Sequence, residues 1–217
     1  MIDSKVCPSK AAEVEDTTLF SKIAQDIDKE GYSICPHGLP TSLAKILWNF
    51  VLNIPAGDFK KAGIGRDSKH RLNRAVRTDE VCWIDHETQV GRAWLQWADS
   101  LKNHLNQSLF LGLNRFESHF AHYGAGDFYK KHRDAFSGEE NRVLTLIVYL
   151  NPEWQDGHGG ELILYTGKQE CSAITVKSEF GTVVLFLSEE FFHEVLPVYQ
   201  DRYSIAGWFC VSGAGKS

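Results

Sequence analysis

The run V-L-T-L-I-V-Y-L at residues 143–150 is apolar on both of its alternating faces, broken only by the hydroxyl of Thr145 and the phenol of Tyr149. A strand that turns neither face to water belongs at the centre of a sandwich, between two packed layers. Downstream, Glu161–Tyr165, Ala173–Val176, Thr182–Leu187 and Tyr203–Val211 also read as strands, separated by turns rich in Gly, Asp, Glu and Asn. No crossover helix lies among them, which disfavours a parallel α/β sheet.

Upstream the period changes to that of helices. Leu19, Ile23 and Ile27 recur every fourth residue, with Asp16 or Thr17 as the cap and Gly31 as the stop. A second helix starts at Thr41 or Ser42 and is expected to bury Leu43, Ile46, Leu47, Phe50 and Val51. A third runs from Thr88 to Gln107, with Val90, Trp94, Ala98, Leu101 and Leu105 on one stripe. Helices first, then about eight short strands from Arg115 onward, predict a mainly β (α+β) chain. Its core would be a double-stranded β-helix, or jelly roll, with the N-terminal helices packed on one sheet.

Composition narrows the classes further. The 217 residues are 43% hydrophobic and 24% charged, with 13 Phe and 6 Trp to fill a sizeable core. A net charge of −5 argues against nucleic acid as the main partner, because phosphate binding needs a basic face. Cys7, Cys35, Cys82, Cys171 and Cys210 are scattered and form no C-x-x-C pair, so neither a zinc knuckle nor a disulfide framework is expected. Free thiols suit a reducing cytosol, and no apolar run reaches membrane-spanning length. The expectation is a soluble cytoplasmic monomer: a loose lead-in over 1–16, then a single domain over 17–217, with helical support to 112 and the β core over 113–211. Between the second and third helices, Lys60, Lys61, Arg66, Lys69, Arg71, Arg74 and Arg77 face only Asp58 and Asp67. Two readings stand open for this stretch: a solvated charged loop, or a mobile arm over 57–80 that covers a cleft.

His132 and Asp134, two apart on a strand, would point to one side and Arg133 to the other. With nine histidines in the chain, H-x-D alone carries little. The order H-x-D, a long gap, His193, then Arg202 nine residues later on the last strand carries much more. Two imidazoles and a carboxylate on one face of an octahedral metal leave the opposite positions free, which is the facial triad of non-haem Fe(II) oxygenases. Arg202, Ser204, Ala206, Trp208 and Cys210 share a face of that last strand, with no carboxylate among them. A buried guanidinium left unpaired is costly, and a small dicarboxylate would satisfy its fork. Tyr149, taken to share a face with Val143, Thr145 and Ile147, would add its hydroxyl. The plainer alternative for Arg202 is a salt bridge to an Asp or Glu.

From Arg77 to Val211 the chain resembles the 2-oxoglutarate- and Fe(II)-dependent prolyl 4-hydroxylases, above all the hypoxia-inducible-factor type and its bacterial relatives. The matching stretches are R-T-D-E-V-C-W-I (77–84), Y-G-A-G-D-F-Y-K-K-H-R-D (123–134), R-V-L-T-L-I-V-Y-L-N-P-E-W (142–154), G-G-E-L (159–162), F-F-H-E-V-L-P (191–197) and R-Y-S-I-A-G-W-F (202–209). The resemblance implies that His132, Asp134 and His193 hold Fe(2+). It places Arg202 and Tyr149 on the distal carboxylate of 2-oxoglutarate, in a pocket lined by Thr145, Ile147, Leu162 and Trp208. Tyr129 would lie near the substrate proline, and Arg77, Asp79 and Arg142 would link the mobile loop to the rim. The implied reaction is C4 hydroxylation of a prolyl residue in a protein, with O2 as cosubstrate, succinate and CO2 as products, and ascorbate (vitamin C) as reductant. A translation elongation factor is the protein substrate that the bacterial relatives suggest.

Two positions depart from the family pattern. A tyrosine usually stands ten residues before the first metal histidine; here an ungapped match gives His122, with Tyr123 beside it. Tyr129 is an odd number of residues from His132, so it needs a bulge to face the metal. Competing readings are an oxygenase acting on a free amino acid, a small molecule or nucleic acid, and a non-catalytic metal-binding relative. Nucleic-acid demethylases carry a further arginine at the place of Trp208, which weakens that branch.

Overall fold

The computed structural model describes residues 10–63, 75–135, 141–166 and 172–211. Three helices precede most of the strands: α1 (Lys10–Glu30), α2 (Thr41–Val51) and α3 (Gln89–Leu109). The strands are β1 (Tyr32–Cys35), β2 (Lys60–Lys61), β3 (Glu80–Trp83), β4 (Arg115–Tyr123), β5 (Tyr129–His132), β6 (Asn141–Tyr149), β7 (Leu162–Thr166), β8 (Ser172–Val176), β9 (Val183–Leu187), β10 (His193–Val195) and β11 (Arg202–Val211). They form a seven-stranded sheet, in the order β1-β9-β6-β11-β4-β3-β2, facing a four-stranded sheet, β5-β10-β7-β8. Every pairing is antiparallel.

β6 lies inside the larger sheet, between β9 and β11, with both faces covered as its sequence requires. Leu144, Leu146 and Val148 pack with Ile205 and Phe209 of β11 against Ile23, Leu47, Trp94 and Leu101 of the helices. Ile147 and Tyr149 turn the other way, onto Leu162, Leu164, Val176 and Phe186 between the sheets. The molecule is thus layered helix, large sheet, small sheet, and the inter-sheet layer is where the polar residues converge.

Local differences from expectation have physical causes. Helix α1 begins at Lys10 rather than at Asp16 or Thr17, because K-A-A-E-V-E is made of helix formers that carry it past the candidate caps. Part of the expected lead-in is therefore helical, and residues 1–9 lie outside the described residues. Ile46 is 41% exposed, since the buried stripe of α2 is Leu43, Ala44, Leu47 and Val51. Helix α3 is capped by Thr88, whose hydroxyl accepts from the Gly91 N–H at 2.9 Å.

One irregularity matters for function. Phe209 pairs with Leu144 but Cys210 pairs with Arg142, so Val143 is skipped. This bulge sends Val143 to the helix-side core, not to the face of Tyr149 as strict alternation had it. It also returns Arg142 to the inner face, where its guanidinium lies 3.6 Å over the Trp208 ring. Cys35, Cys82 and Cys210 are free thiols, while Cys7 and Cys171 lie outside the described residues. Among the described residues no helix is long and apolar enough to cross a membrane. Of the basic stretch, residues 64–74 lie outside the described residues; before them Lys61 pairs with Glu80 at 2.9 Å.

Candidate metal centre

His132 ends β5 and His193 begins β10, and the antiparallel pairing sets them directly opposite each other. Asp134 follows two residues after His132, just past the strand. The donor atoms of the three side chains all lie within 4.8 Å of one another. His132 Nε2 is 3.3 Å from Asp134 Oδ1, and His193 Nε2 is 3.6 Å from Asp134 Oδ2. Each imidazole uses its other nitrogen locally: His132 Nδ1 is 2.8 Å from the Lys130 carbonyl, and His193 Nδ1 is 3.3 Å from that of Phe191. A carbonyl only accepts, so the proton sits on Nδ1 and the Nε2 lone pairs are left for a metal.

The electrostatics agree. Burial would raise the pKa of Asp134, yet the imidazoles of His193 and His132 hold it well below the usual carboxylate range. Burial pushes His193 down to about 4, against the opposing pull of Asp134, so it is neutral and ready to ligate at neutral pH. Two neutral imidazole nitrogens and one carboxylate oxygen suit a divalent transition metal and leave half of an octahedron open.

At the other end of the inter-sheet space stands Arg202, 1% exposed. Its Nε donates to Ser178 Oγ at 2.7 Å and its Nη1 to Ser204 Oγ at 3.3 Å. Among the described residues no carboxylate pairs with it, so the salt-bridge alternative finds no support there. Gly160, at φ +64°, makes room for this side chain, since a Cβ there would come within 2.8 Å of Arg202 Cδ. The guanidinium is 4.9 Å from the Tyr149 ring and 5.0 Å from that of Tyr123. The Tyr149 hydroxyl is buried and makes no hydrogen bond of ordinary geometry, although the Arg202 guanidinium lies near enough to act on it. A buried cation without an anion, beside an orphaned hydroxyl, is a receptor for a carboxylate. Ile147 and Leu162 belong to the apolar wall between the sheets. A dicarboxylate that reaches the metal from Arg202 fits this chain's residues.

Thr145 touches one of the candidate donors directly. Its hydroxyl donates to Asp134 Oδ2 at 2.9 Å and lies 2.9 Å from Ser188 Oγ, so it is engaged with the metal ligand. Trp208 also helps to hold Asp134 ionised, although its buried indole N–H makes no hydrogen bond of ordinary geometry.

The rim gathers the remaining candidates. A bulge in β5 makes His193–Val195 of β10 span His132–Tyr129, so the Tyr129 ring stacks on His132 with centroids 3.6 Å apart. Arg77 covers the other side of Tyr129 at 4.3 Å and forms a two-pronged ion pair with fully buried Asp79, at 2.8 and 2.6 Å. Arg142, over Trp208, pairs with Glu117 at 3.0 Å. Of His122 and Tyr123, it is the latter that lies beside Arg202. His122 stacks on Tyr203 and bonds Asp201 at 2.9 Å, away from the site, whereas Tyr123 is opposite Arg202.

Sequence reasoning missed His119, Ser178 and Ser188. His119 is two alternations from Tyr123, so the face of β4 held a signal for it. It is buried between Trp83 and Trp208, with centroids 5.1 and 5.3 Å away, and its Nδ1 has no partner. Burial, with Arg77 and Arg142 nearby, drives its pKa down to about 3. The two serines are isolated in turns and gave no pattern to read.

Comparison with known proteins gives an independent view. Residues 118–210 match the family model of the 2OG-Fe(II) oxygenase superfamily. A crystal structure of a Pseudomonas putida prolyl-4-hydroxylase is similar at 33% identity with a TM-score of 0.81, covering 90% of this chain and 100% of that one. A Trichoplax adhaerens prolyl hydroxylase, solved with a hypoxia-inducible-factor peptide fragment, shares the fold with a TM-score of 0.82 at 24% identity, over 94% of each chain. A Caenorhabditis elegans hypoxia-inducible factor prolyl hydroxylase is 27% identical over 156 residues, which is 66% of this chain and 21% of that protein. The chain spans about a fifth of the length of the curated relatives it matches.

Proposed function

The chain belongs to the 2OG-Fe(II) oxygenase superfamily, and we propose that it is a dioxygenase hydroxylating C4 of a prolyl residue in a protein substrate, with succinate and CO2 as by-products. One observation carries the reading. The three donors of His132, Asp134 and His193 open onto the same inter-sheet space as the anion-free Arg202 and the unpartnered Tyr149 hydroxyl. Bound there, Fe(II) and 2-oxoglutarate would activate O2, one atom entering succinate as CO2 leaves and the other becoming available to hydroxylate an unreactive C–H bond.

The residues themselves bind, orient and exclude water. His132, Asp134 and His193 hold the metal with their lone pairs already aimed inward. Arg202 and Tyr149 fix the distal carboxylate, which sets how the rest of the cosubstrate meets the metal. Ile147 and Leu162 keep that space dry, so each polar contact in it is stronger than it would be in water. Tyr129, held between His132 and Arg77, stands where the target ring would enter, with Arg142 on Trp208 across the mouth. The choice of proline is supported by the likeness to the Pseudomonas putida prolyl-4-hydroxylase, at 33% identity over the whole of that chain. The basic stretch before Arg77 favours a polypeptide over a small molecule, ascorbate is the reductant to supply, and a cytoplasmic monomer is the form to assay.

The test is mass spectrometry of a lysate treated with the protein, Fe(II), 2-oxoglutarate, ascorbate and air. Prolyl peptides heavier by one oxygen atom are expected, with a translation elongation factor the first candidate to inspect. Succinate production without any prolyl product would redirect the substrate assignment. No 2-oxoglutarate turnover at all would favour a non-catalytic metal-binding relative.

A further inference from the structure

We propose that Thr145, braced by Ser188, is a positioning residue that holds the Asp134 carboxylate in its ligating direction; the inference rests on the metal-centre reading above. Thr145 Oγ1 lies 2.9 Å from Asp134 Oδ2 and 2.9 Å from Ser188 Oγ. An ionised carboxylate can only accept, and a hydroxyl has one proton to give. The Thr145 proton therefore goes to Asp134, and Thr145 in turn accepts from Ser188. The direction of the chain, Ser188 to Thr145 to Asp134, is fixed by the charge at its end.

The surroundings make this relay rigid. Thr145 is 1% exposed and Ser188 fully buried, so water does not compete. Thr145 sits mid-sheet, paired with Trp208 on one side and Phe186 on the other, and its β-branch restricts χ1. The Ser188 N–H donates to the Val143 carbonyl at 3.0 Å, so the residue skipped at the β6 bulge also anchors the relay.

With Oδ2 accepting from Thr145, the Asp134 carboxylate cannot turn freely, and Oδ1 stays 3.3 Å from His132 Nε2, on the side of the other donors. Loss of the hydroxyl would let the carboxylate rotate, so a metal would lose a donor held in place, whereas the Arg202 end of the pocket would not change. In this view Thr145 acts on the metal through Asp134.

The experiment titrates the metal-free protein with Co(II) alone, by calorimetry, and separately measures the KM for 2-oxoglutarate. Thr145→Val removes the hydroxyl at nearly constant shape and is expected to weaken Co(II) binding by about 10- to 100-fold, the usual effect of losing an outer-shell partner of a ligand. Thr145→Ser should restore most of the affinity, and Ser188→Ala should fall between Thr145→Val and the unaltered protein. The KM for 2-oxoglutarate should stay where it was. A raised KM with unchanged Co(II) affinity would make Thr145 a cosubstrate contact and overturn the proposal. So would Thr145→Val with neither quantity altered. Should Thr145→Val not fold, an unaltered Co(II) affinity in Ser188→Ala overturns it equally. Failure of the unaltered protein to bind Co(II) would instead remove the metal centre itself.

Discussion

Replacing Tyr149 by Phe should make the protein more stable when empty and less able to bind its cosubstrate, and the two opposite signs test the anion pocket. The Tyr149 side chain is fully buried, and its hydroxyl makes no hydrogen bond of ordinary geometry even with Arg202 beside it. Burial raises its pKa, partly offset by Arg202, so at neutral pH the phenol keeps its proton and acts as a donor. An unmatched buried hydroxyl costs about 1–3 kcal/mol, and Phe removes that penalty while leaving a void of a single atom. A net gain of about 1 kcal/mol corresponds to about 2–4 °C in Tm for a chain of this size. In the loaded protein the same hydroxyl would donate to a carboxylate already held by Arg202, 4.9 Å from the ring. Hydrogen bonds to charged groups contribute about 1.5–3 kcal/mol, which is roughly a 10- to 100-fold change in Kd. Thermal melts of Mn(II)-loaded protein, with and without 2-oxoglutarate, give both quantities. The variant should melt higher without the dicarboxylate and lower with it, since ligand stabilisation scales with the logarithm of affinity. A variant that melts lower without ligand and binds 2-oxoglutarate normally would show that the hydroxyl serves the fold, and the carboxylate pocket would lose its best witness.

Three further outcomes follow from the same geometry. Asp134→Ala should abolish 2-oxoglutarate turnover in a succinate assay, because it removes one of three donors and leaves two imidazoles with no anion; retained turnover would take Asp134 out of the metal site. Arg202→Lys keeps the charge but loses the fork and the Nε bond to Ser178, so the KM for 2-oxoglutarate should rise about 10- to 100-fold with the fold intact by circular dichroism. Stability should also fall in acid through buried His119, whose folded pKa of about 3 lies below its value in the unfolded chain. Between those two values the unfolded chain binds the extra proton, so stability drops as pH falls, by about 2 kcal/mol from this residue at a pH of about 5. His119→Leu should flatten the slope of urea-unfolding free energy against pH over that window, and an unchanged slope would refute neutral burial of His119.

The parts of this molecule that could be read from sequence are those whose signal repeats. Leu144, Leu146 and Val148 against Ile147 and Tyr149 announce a strand covered on both faces, and the stripe of Trp94, Ala98, Leu101 and Leu105 announces a buried helix face. The grouping of the three candidate donors was legible too, because His132 and His193 need only be opposite each other on paired strands, with Asp134 two residues beyond. The rim was harder, and the reason is geometrical. Strict alternation puts Arg142 behind the sheet with Leu144 and turns Tyr129 away from His132. Each is brought round by a bulge that absorbs one extra residue: Val143 opposite Phe209–Cys210, and one residue of β5 opposite His193–Val195. A bulge is set by the register of the partner strand, which a single strand's own sequence does not contain. The same limit hid Ser188, whose place beside Thr145 depends on where β9 ends relative to β6. The chemistry common to the superfamily therefore rests on positions that simple periodicity finds, whereas the features that would choose a substrate rest on register shifts that only the folded sheets reveal. Changes of substrate within this fold should accordingly map to the β5 and β6 bulges rather than to the metal donors. Inserting one residue between Phe209 and Cys210 is the direct probe, since it would give Val143 a partner, restore strict alternation and turn Arg142 away from Trp208, while His132, Asp134 and His193 lie on other segments of the chain.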